Sequence, residues 1–210
     1  MREVILKELL KSREAKQPVV LATRLTDGIQ KLLHQSDTKE ENWLIKAVAE
    51  VLASDKSRVV EDPDGQQWFL NAFNPPLRLL VVGAVHIAQP VAAMAALAAY
   101  DVTVIDPRTA FASPERFPGV TLRTEWPDEA MTDLKPDART AVITLTHDPK
   151  LDDPALVAAL NSPAFYIGAL GSKKTHAARH ERLKAAGFDD QAIARIHGPI
   201  GLSIGAKSPA

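Results

Sequence analysis

The sequence predicts an α/β fold: a domain built on a parallel sheet, preceded by a small α+β domain. Three observations carry this reading. Residues 77–82 (LRLLVV) form a short Leu- and Val-rich run, as expected of a strand covered on both faces. Gly83 ends it, and the Ala-rich apolar stretch 84–99 has the length of a helix packed on a sheet. Residues 102–105 (VTVI) are a second β-branched run, closed by Asp106. Strand, tight turn, helix and strand in that order make the opening βαβ unit of a Rossmann-like domain.

The rest of the chain supplies the other elements. Residues 3–15 read as a helix with Val4, Ile5, Leu9 and Leu10 on one side, broken by Gln17-Pro18. Residues 19–24 and 29–33 read as strands joined at Asp27-Gly28. One of Ser36, Asp37 or Thr38 is placed to cap a helix over 39–53, whose apolar set is Trp43, Leu44, Ala47, Val48, Val51 and Leu52. Residues 58–60 and 67–73 flank Asp62-Pro63-Asp64-Gly65, a hairpin signal. Asn74-Pro75-Pro76 marks a boundary, giving a small α+β domain at 1–74 and a Rossmann-like domain at 77–210. Within the latter, 107–119 is a loop and 120–123 a short strand. Residues 127–134 are a helix with acidic residues in its first turn. TAVITLT (140–146) is a buried parallel strand, and Asp152-Asp153-Pro154 opens the next helix with proline near its first position. Residues 164–167 are a strand, 168–172 a turn, and 173–186 a helix ended by Gly187. A short helix covers 189–195, and a glycine-rich tail runs over 197–209. Ser208-Pro209 is a cap and first-position pair, so a further helix is expected to begin there.

Composition narrows the function. The chain has 210 residues, 46% hydrophobic and 24% charged, enough for a substantial buried core. A net charge of -1 offers no global attraction to nucleic acid or to a membrane surface. The N-terminus is charged and amphipathic, without the apolar core of a signal peptide, and no apolar run approaches the ~20 residues that span a bilayer. Cytoplasmic residence is the expectation. There is no cysteine, which excludes a disulfide, a thiol nucleophile and a sulfur relay on this chain.

In an open α/β sheet, ligands bind outside the C-terminal ends of the strands, where the strand order reverses. That rule selects Gly83, His86 and Gln89 after the first strand, and Asp106 and Arg108 after the second. It selects His147 and Asp148 after TAVITLT, and Gly168, Gly171, Ser172, Lys173 and Thr175 after the next strand. The turn Gly83-Ala84-Val85-His86-Ile87-Ala88 is an imperfect dinucleotide fingerprint, because Val85 stands where G-x-G-x-x-G has its second glycine. Asp106 lies near the usual ~20-residue offset of a ribose-binding carboxylate. GALGSKKTH (168–176) reads as an anion-binding turn, with Ser172 as cap and two lysines in the first helical turn; the plain alternative is a glycine turn with an ordinary cap. His86 and His147 meet at one focus, though a two-histidine metal site would want a carboxylate partner and none is fixed nearby. His34, His176 and His180 read as surface residues, and Asp152 and Asp153 as first-turn helix charges.

Five ordered blocks then carry a resemblance: VVGAVHIAQP, VTVIDPRTAFASPERFPG, LTHDPKLDDPAL, YIGALGSKKTHAARHERLKAAGF and RIHGPIGLSIGAKSPA. Together they resemble the C-terminal Rossmann domain of the xanthine dehydrogenase accessory protein family, the XdhC/CoxI type. The resemblance covers the chain from about residue 77 onward. It implies a non-catalytic accessory protein that binds molybdopterin, the organic part of the molybdenum cofactor, as cargo. It protects the cofactor while a cysteine desulfurase supplies sulfur, and inserts it into the large subunit of a molybdenum hydroxylase. It adds His197, Gly201 and Lys207 to the site edge. A homodimer is compatible with it. The family turn has a second glycine where Val85 stands, and the N-terminal G-S-x-P-R-x-x-G and G-G-C motifs are missing here. Two other readings compete. One is an NAD(P)-dependent oxidoreductase, supported by Asp106 and the βαβ unit and opposed by Val85. The other is a docking module whose fold has lost its ligand.

Overall fold

The computed structural model describes residues 2–34, 36–37, 40–202 and 204–205. The chain divides into two compact units, Met1–Pro75 and Pro76–Ala210. The first holds α1 (Glu3–Glu14), β1 (Val19–Arg24), β2 (Gln30–His34), α2 (Asn42–Ser54), β3 (Arg58–Glu61) and β4 (Gln67–Phe73). Its antiparallel sheet has the order β2-β1-β4-β3. Helix α2 turns Leu44, Ala47, Val48, Val51 and Leu52 onto Val20, Ala22, Leu33, Trp68 and Leu70, which together form one core. The β3–β4 turn is organised by Asp62, whose carboxylate accepts from the N–H groups of Asp64 and Gln66 and from Trp68 Nε1.

Two expectations for this unit need correction. Helix α2 starts at Asn42 rather than 39, with Glu41 as a cap that makes no side-chain bond. Asp37 instead accepts from the N–H of His34 and closes the end of β2; Thr38 and Lys39 lie outside the described residues. On α1 the expected apolar side is mostly solvent-facing, for Leu9 is buried while Val4 and Leu10 are exposed.

The second unit runs β5 (Arg78–Val82), α3 (Ala88–Leu97), β6 (Asp101–Ile105), β7 (Thr121–Arg123), α4 (Pro127–Leu134), β8 (Thr140–Thr144), α5 (Pro149–Leu160), β9 (Tyr166–Ala169), α6 (Lys173–Ala185), α7 (Asp190–Ile193) and β10 (Ile196–His197). All strands pair in parallel, in the order β10-β9-β8-β5-β6-β7. The chain steps outward from β5 to β6 and β7, then crosses back to β8, so the strand order reverses between β5 and β8. This is the Rossmann order, and its ligand crevice lies beyond Val82 and Thr144. One face of the sheet packs Leu80, Val82, Val142 and Ile167 against Leu156 of α5 and Leu183 of α6. The other packs Val81, Val104 and Ile143 against Ala88 and Ala92 of α3 and Phe117 of the β6–β7 loop.

Here too the boundaries shift. Residues 84–87 form the turn, and α3 begins at Ala88. Helix α5 begins at Pro149, capped by Asp148, so Pro154 lies inside the helix and not at its start. Part of the expected tail becomes a sixth strand, β10. The helix expected at Ser208-Pro209 lies outside the described residues. No helix among the described residues is long and apolar enough to cross a membrane.

Candidate functional site

The β5 turn is held from three sides. Gly83 has φ +107°, and a Cβ on it would sit 2.4 Å from Thr146 Cγ2, so this glycine lets the β8 loop close onto the β5 turn. The next N–H, of Ala84, donates to Asp106 Oδ2 at 2.8 Å. Asp106 is fully buried. Its other acceptor positions take Arg108 N–H (3.0 Å), Arg108 Nε (2.8 Å) and Arg108 Nη2 (2.7 Å). Burial pushes this carboxyl toward its neutral form, but the bonds from Arg108 and Ala84 outweigh it and leave the pKa below the ordinary carboxylate value. The carboxylate that would hold a ribose is thus spent on the fold.

The third support is Arg116, a residue that no motif or spacing in the sequence singles out. Its Nη1 donates to the carbonyls of Ala84 (2.9 Å) and Phe111 (2.6 Å). With the amide oxygen of Gln89 turned toward it, its Nε and Nη2 donate at 2.8 and 2.9 Å. The guanidinium lies 5.6 Å from the ring centroids of both Phe111 and Phe117, and that of Arg108 lies 4.7 Å from Phe111. Gln89, Asp106 and Arg108 are therefore brought together, tying the β6–β7 loop over the start of α3. His86 is exposed beside them.

A second group forms where α5 and α6 begin. Asp152 is 1% exposed. It accepts from Thr146 Oγ1 (2.7 Å), Thr146 N–H (3.3 Å) and His147 N–H (3.2 Å). It lies in the first turn of α5, as expected, but is buried there as a tie for the β8 loop, and its burial raises its pKa above the ordinary value. His147 has φ +63° and an exposed side chain. Asp148 caps α5 by accepting from Lys150 N–H at 3.0 Å.

Helix α6 starts with a conventional cap. Ser172 Oγ accepts from Thr175 N–H at 3.1 Å and lies 3.0 Å from Thr175 Oγ1. Gly171, at φ +143°, brings its backbone against Thr175. The N–H groups of Lys173 and Lys174 come before the first carbonyl the helix can offer them, and both lysines are exposed. One turn further in, Arg179 is 1% exposed and donates from Nη2 to the Leu170 carbonyl at 2.9 Å. The same nitrogen lies 3.7 Å from Asp152 Oδ2. Its Nε and Nη1 are buried without a hydrogen-bond partner among the described residues. Spacing carried a signal for it, since Arg179 lies four residues before the buried Leu183 and so on the same helix face.

His176 is half-buried rather than a surface residue. Its Nδ1 is buried and unpartnered among the described residues, and a Cβ on Gly198 would lie 2.3 Å from that atom. Burial, then Arg179 and His180, lower its pKa. Gly168 lies in β9, where its missing side chain makes room for Ile200 and Tyr166. His197 stacks on Tyr166, centroids 4.9 Å apart and planes 7° from parallel. Gly201 is exposed with open space around it. Lys207 lies outside the described residues. Among the described residues no three His, Cys, Asp or Glu side chains converge as metal ligands.

The two groups are linked: Thr146 closes on Gly83 and bonds Asp152, which faces Arg179, which holds Leu170. The first group spends its charges internally. The second presents a capped helix N-terminus and two exposed lysines, a donor set that fits an anion such as the phosphate of a pterin or nucleotide cofactor.

Comparison with known proteins gives the following. Residues 79–210 match the family model described as the XdhC Rossmann domain. The chain is 33% identical over 139 residues to the molybdenum cofactor insertion chaperone PaoD of Escherichia coli K12, covering 64% of this chain and 37% of that one. It is 29% identical over 142 residues to a probable xanthine dehydrogenase subunit of Bacillus subtilis 168, covering 67% and 41%. The crystal structure of a xanthine dehydrogenase from Bacillus halodurans shares the fold, with a TM-score of 0.56 at 19% identity over 96% of this chain and 88% of that one. The chain spans well under half the length of the two curated relatives.

Proposed function

Because this chain belongs to the XdhC family, we propose that it binds the molybdenum cofactor as cargo and serves its maturation and insertion into a xanthine dehydrogenase-type hydroxylase. The observations that carry this are the 33% identity to a molybdenum cofactor insertion chaperone over 64% of the chain, and the family match over residues 79–210, which hold the strand-end site. Molybdopterin offers a phosphate, a polar pterin and a dithiolene. In this reading the phosphate sits on the Gly171–Ser172 turn, where the α6 N-terminus, Lys173 and Lys174 favour negative charge. The exposed His86 and His147 flank the crevice as hydrogen-bonding groups for the pterin edge. The chain has no cysteine. Sulfur for the metal therefore passes directly from a partner cysteine desulfurase, and the large subunit of the hydroxylase receives the cargo.

The oxidoreductase reading draws no support from the site. Asp106 has no acceptor left for a ribose hydroxyl, and Val85 stands where a pyrophosphate needs bare backbone.

The test is stoichiometric cargo binding without turnover. The protein is purified from cells that make the cofactor, and the oxidised pterin it releases is measured by fluorescence. Near-stoichiometric pterin is expected. Lys173→Ala should lower retention about tenfold or more, through loss of a charge-assisted hydrogen bond. Lys184→Ala, which removes a surface pair with Asp190 late on the same helix, should leave it unchanged. Folded protein that carries no pterin and takes up none from a donor would rule the proposal out.

A further inference from the structure

We infer that residues 198–201 form a strap over the β9 end of the strand-end crevice, and that His176 is its latch, released when the imidazole takes up a proton.

The strap follows from the sheet. Strand β10 runs parallel to β9, so it delivers the chain to the same edge at which ligands bind. From His197 the chain passes over the end of β9. Gly198 packs on His176, in the first turns of α6. Two residues on, the Ile200 N–H donates to the Ala169 carbonyl at 3.1 Å. The Ile200 side chain fills the notch that Gly168 leaves, where a Cβ would lie 2.5 Å from Ile200 Cδ1. It packs with Leu145 and Leu170 on the sheet face opposite α6. The strap therefore crosses from one face of the sheet to the other, beside the turn that leads to the Ser172 cap. Gly201 and Leu202 beyond it are exposed.

His176 holds the strap by staying neutral. Its Nδ1 is buried against Gly198 with no hydrogen-bond partner among the described residues. A neutral imidazole can leave a bare lone pair there, but an imidazolium carries an N–H on both nitrogens, one of them then unmet. The surrounding charges offer no relief. On its own helix His176 is faced by Arg179 and His180, both of which oppose a further positive charge. The positive end of the α6 dipole does the same. The carboxylates nearby are engaged elsewhere. Asp152 faces Arg179, Asp153 holds Arg182, and Asp190 and Glu181 stand beside His180. The end of β10 brings His197, exposed and stacked on Tyr166, whose phenol burial keeps neutral. Lifting Gly198 away admits water to Nδ1 and removes the penalty, so protonation and closure oppose one another. The closed form has its pKa lowered from 6.5. Below that pH the open form therefore gains up to about tenfold per pH unit, until the closed form is itself protonated.

Amide hydrogen exchange of the intact protein reads the strap directly. It is followed by NMR at the Ile200 N–H and divided by the intrinsic rate at each pH. Protection of Ile200 should be present at about pH 7.5 and fall about tenfold by roughly pH 5, while Val142 and Ile143 in β8 stay protected. The His176 ring, titrated in the same spectra, should share the midpoint of that change. His176→Phe, a ring that cannot titrate, should keep the strap closed in acid. His176→Leu replaces it if the phenylalanine variant does not fold or does not close at neutral pH, and if neither closes, the coincidence of midpoints decides. Gly198→Ala, whose Cβ would collide with Nδ1, should open the strap at neutral pH. His197→Phe keeps the ring stack and should respond to pH as the parent does. The latch is overturned if Ile200 is unprotected at neutral pH, if its protection does not vary with pH, or if it falls together with that of β8. It is equally overturned if the two midpoints differ, if a closed His176 variant opens in acid as the parent does, if Gly198→Ala stays closed, or if His197→Phe abolishes the response.

Discussion

Asp106 shows how one residue can look like a ligand-binding group and be structural. Its position after the second strand is that of a ribose-binding carboxylate, yet all its acceptor sites are filled by Arg108 and Ala84. Asp106→Asn would leave at least one of these donors facing an amide nitrogen, a cost of about 1–3 kcal/mol. The pH dependence has a definite sign. The folded pKa lies below the ordinary 3.8, so the stabilisation is present above that value and lost as pH falls through the lower folded value. Denaturant unfolding of parent and variant at neutral pH and near pH 3 measures it: a gap at neutral pH that narrows in acid is expected, and a gap independent of pH would assign the cost to packing. His176 has the opposite charge type. Its folded pKa is lowered from 6.5, so the unfolded chain binds the proton better and stability declines as pH falls below about 6.5. His176→Phe or His176→Leu should remove that decline from the acid limb of a stability–pH curve, whatever its effect at neutral pH.

At the level of elements, the contact between the β5 turn and the β8 loop decides the shape of the crevice. A methyl on Gly83 would sit 2.4 Å from Thr146 Cγ2 at a φ of +107°. Gly83→Ala therefore combines overpacking, about 1–3 kcal/mol, with backbone strain of similar size. Thr146→Ser removes the clashing methyl and keeps the hydroxyl that bonds Asp152 at 2.7 Å. In a double-mutant cycle it should recover the steric part and leave the strain; no coupling between the two would mean that the loops do not meet as described. Periodicity reveals such elements but not their contacts. The runs LRLLVV, VTVI and TAVITLT read directly as strands because burial on both faces needs continuous apolar sequence. The start of α5 is harder to read, because proline tolerated inside the first turns draws attention to Pro154 when Asp148 and Pro149 do the capping. Strand β10 is two residues long, too short for any period to mark. The site is legible as a set of strand-end positions but not as a division of labour. Arg116 acts through Ala84 and Gln89, and Arg179 faces Asp152, all distant in sequence, while Asp152 folds back onto Thr146 and His147 just before its helix; an isolated Arg or Asp reads by default as solvent-facing.

For the whole molecule, the two units have separate cores: Val48, Val51, Trp68 and Leu70 in one, the two faces of the parallel sheet in the other. Separate cores make separate cooperative units unless an interface couples them strongly. We propose that residues 1–74 and 77–210 are distinct domains, joined through Asn74-Pro75-Pro76, where two prolines stiffen the linker without extending either sheet. Calorimetric unfolding of the intact chain should then show two transitions. Leu70→Ala, which empties a fully buried position in the antiparallel unit, should cost about 2–5 kcal/mol and lower one transition alone. Val142→Ala, fully buried between β5 and β9, should lower the other by a smaller amount, because fewer methyl groups are removed. The same pair tests where the cargo sits. Every candidate residue of the strand-end site belongs to the second unit, so Leu70→Ala should leave pterin retention intact below its own transition, while Val142→Ala should lose it at the lowered midpoint of the parallel-sheet unit. A single transition moved equally by both variants would mean that the units unfold as one. Pterin lost with the first transition instead of the second would place the cargo on the antiparallel unit and away from α6.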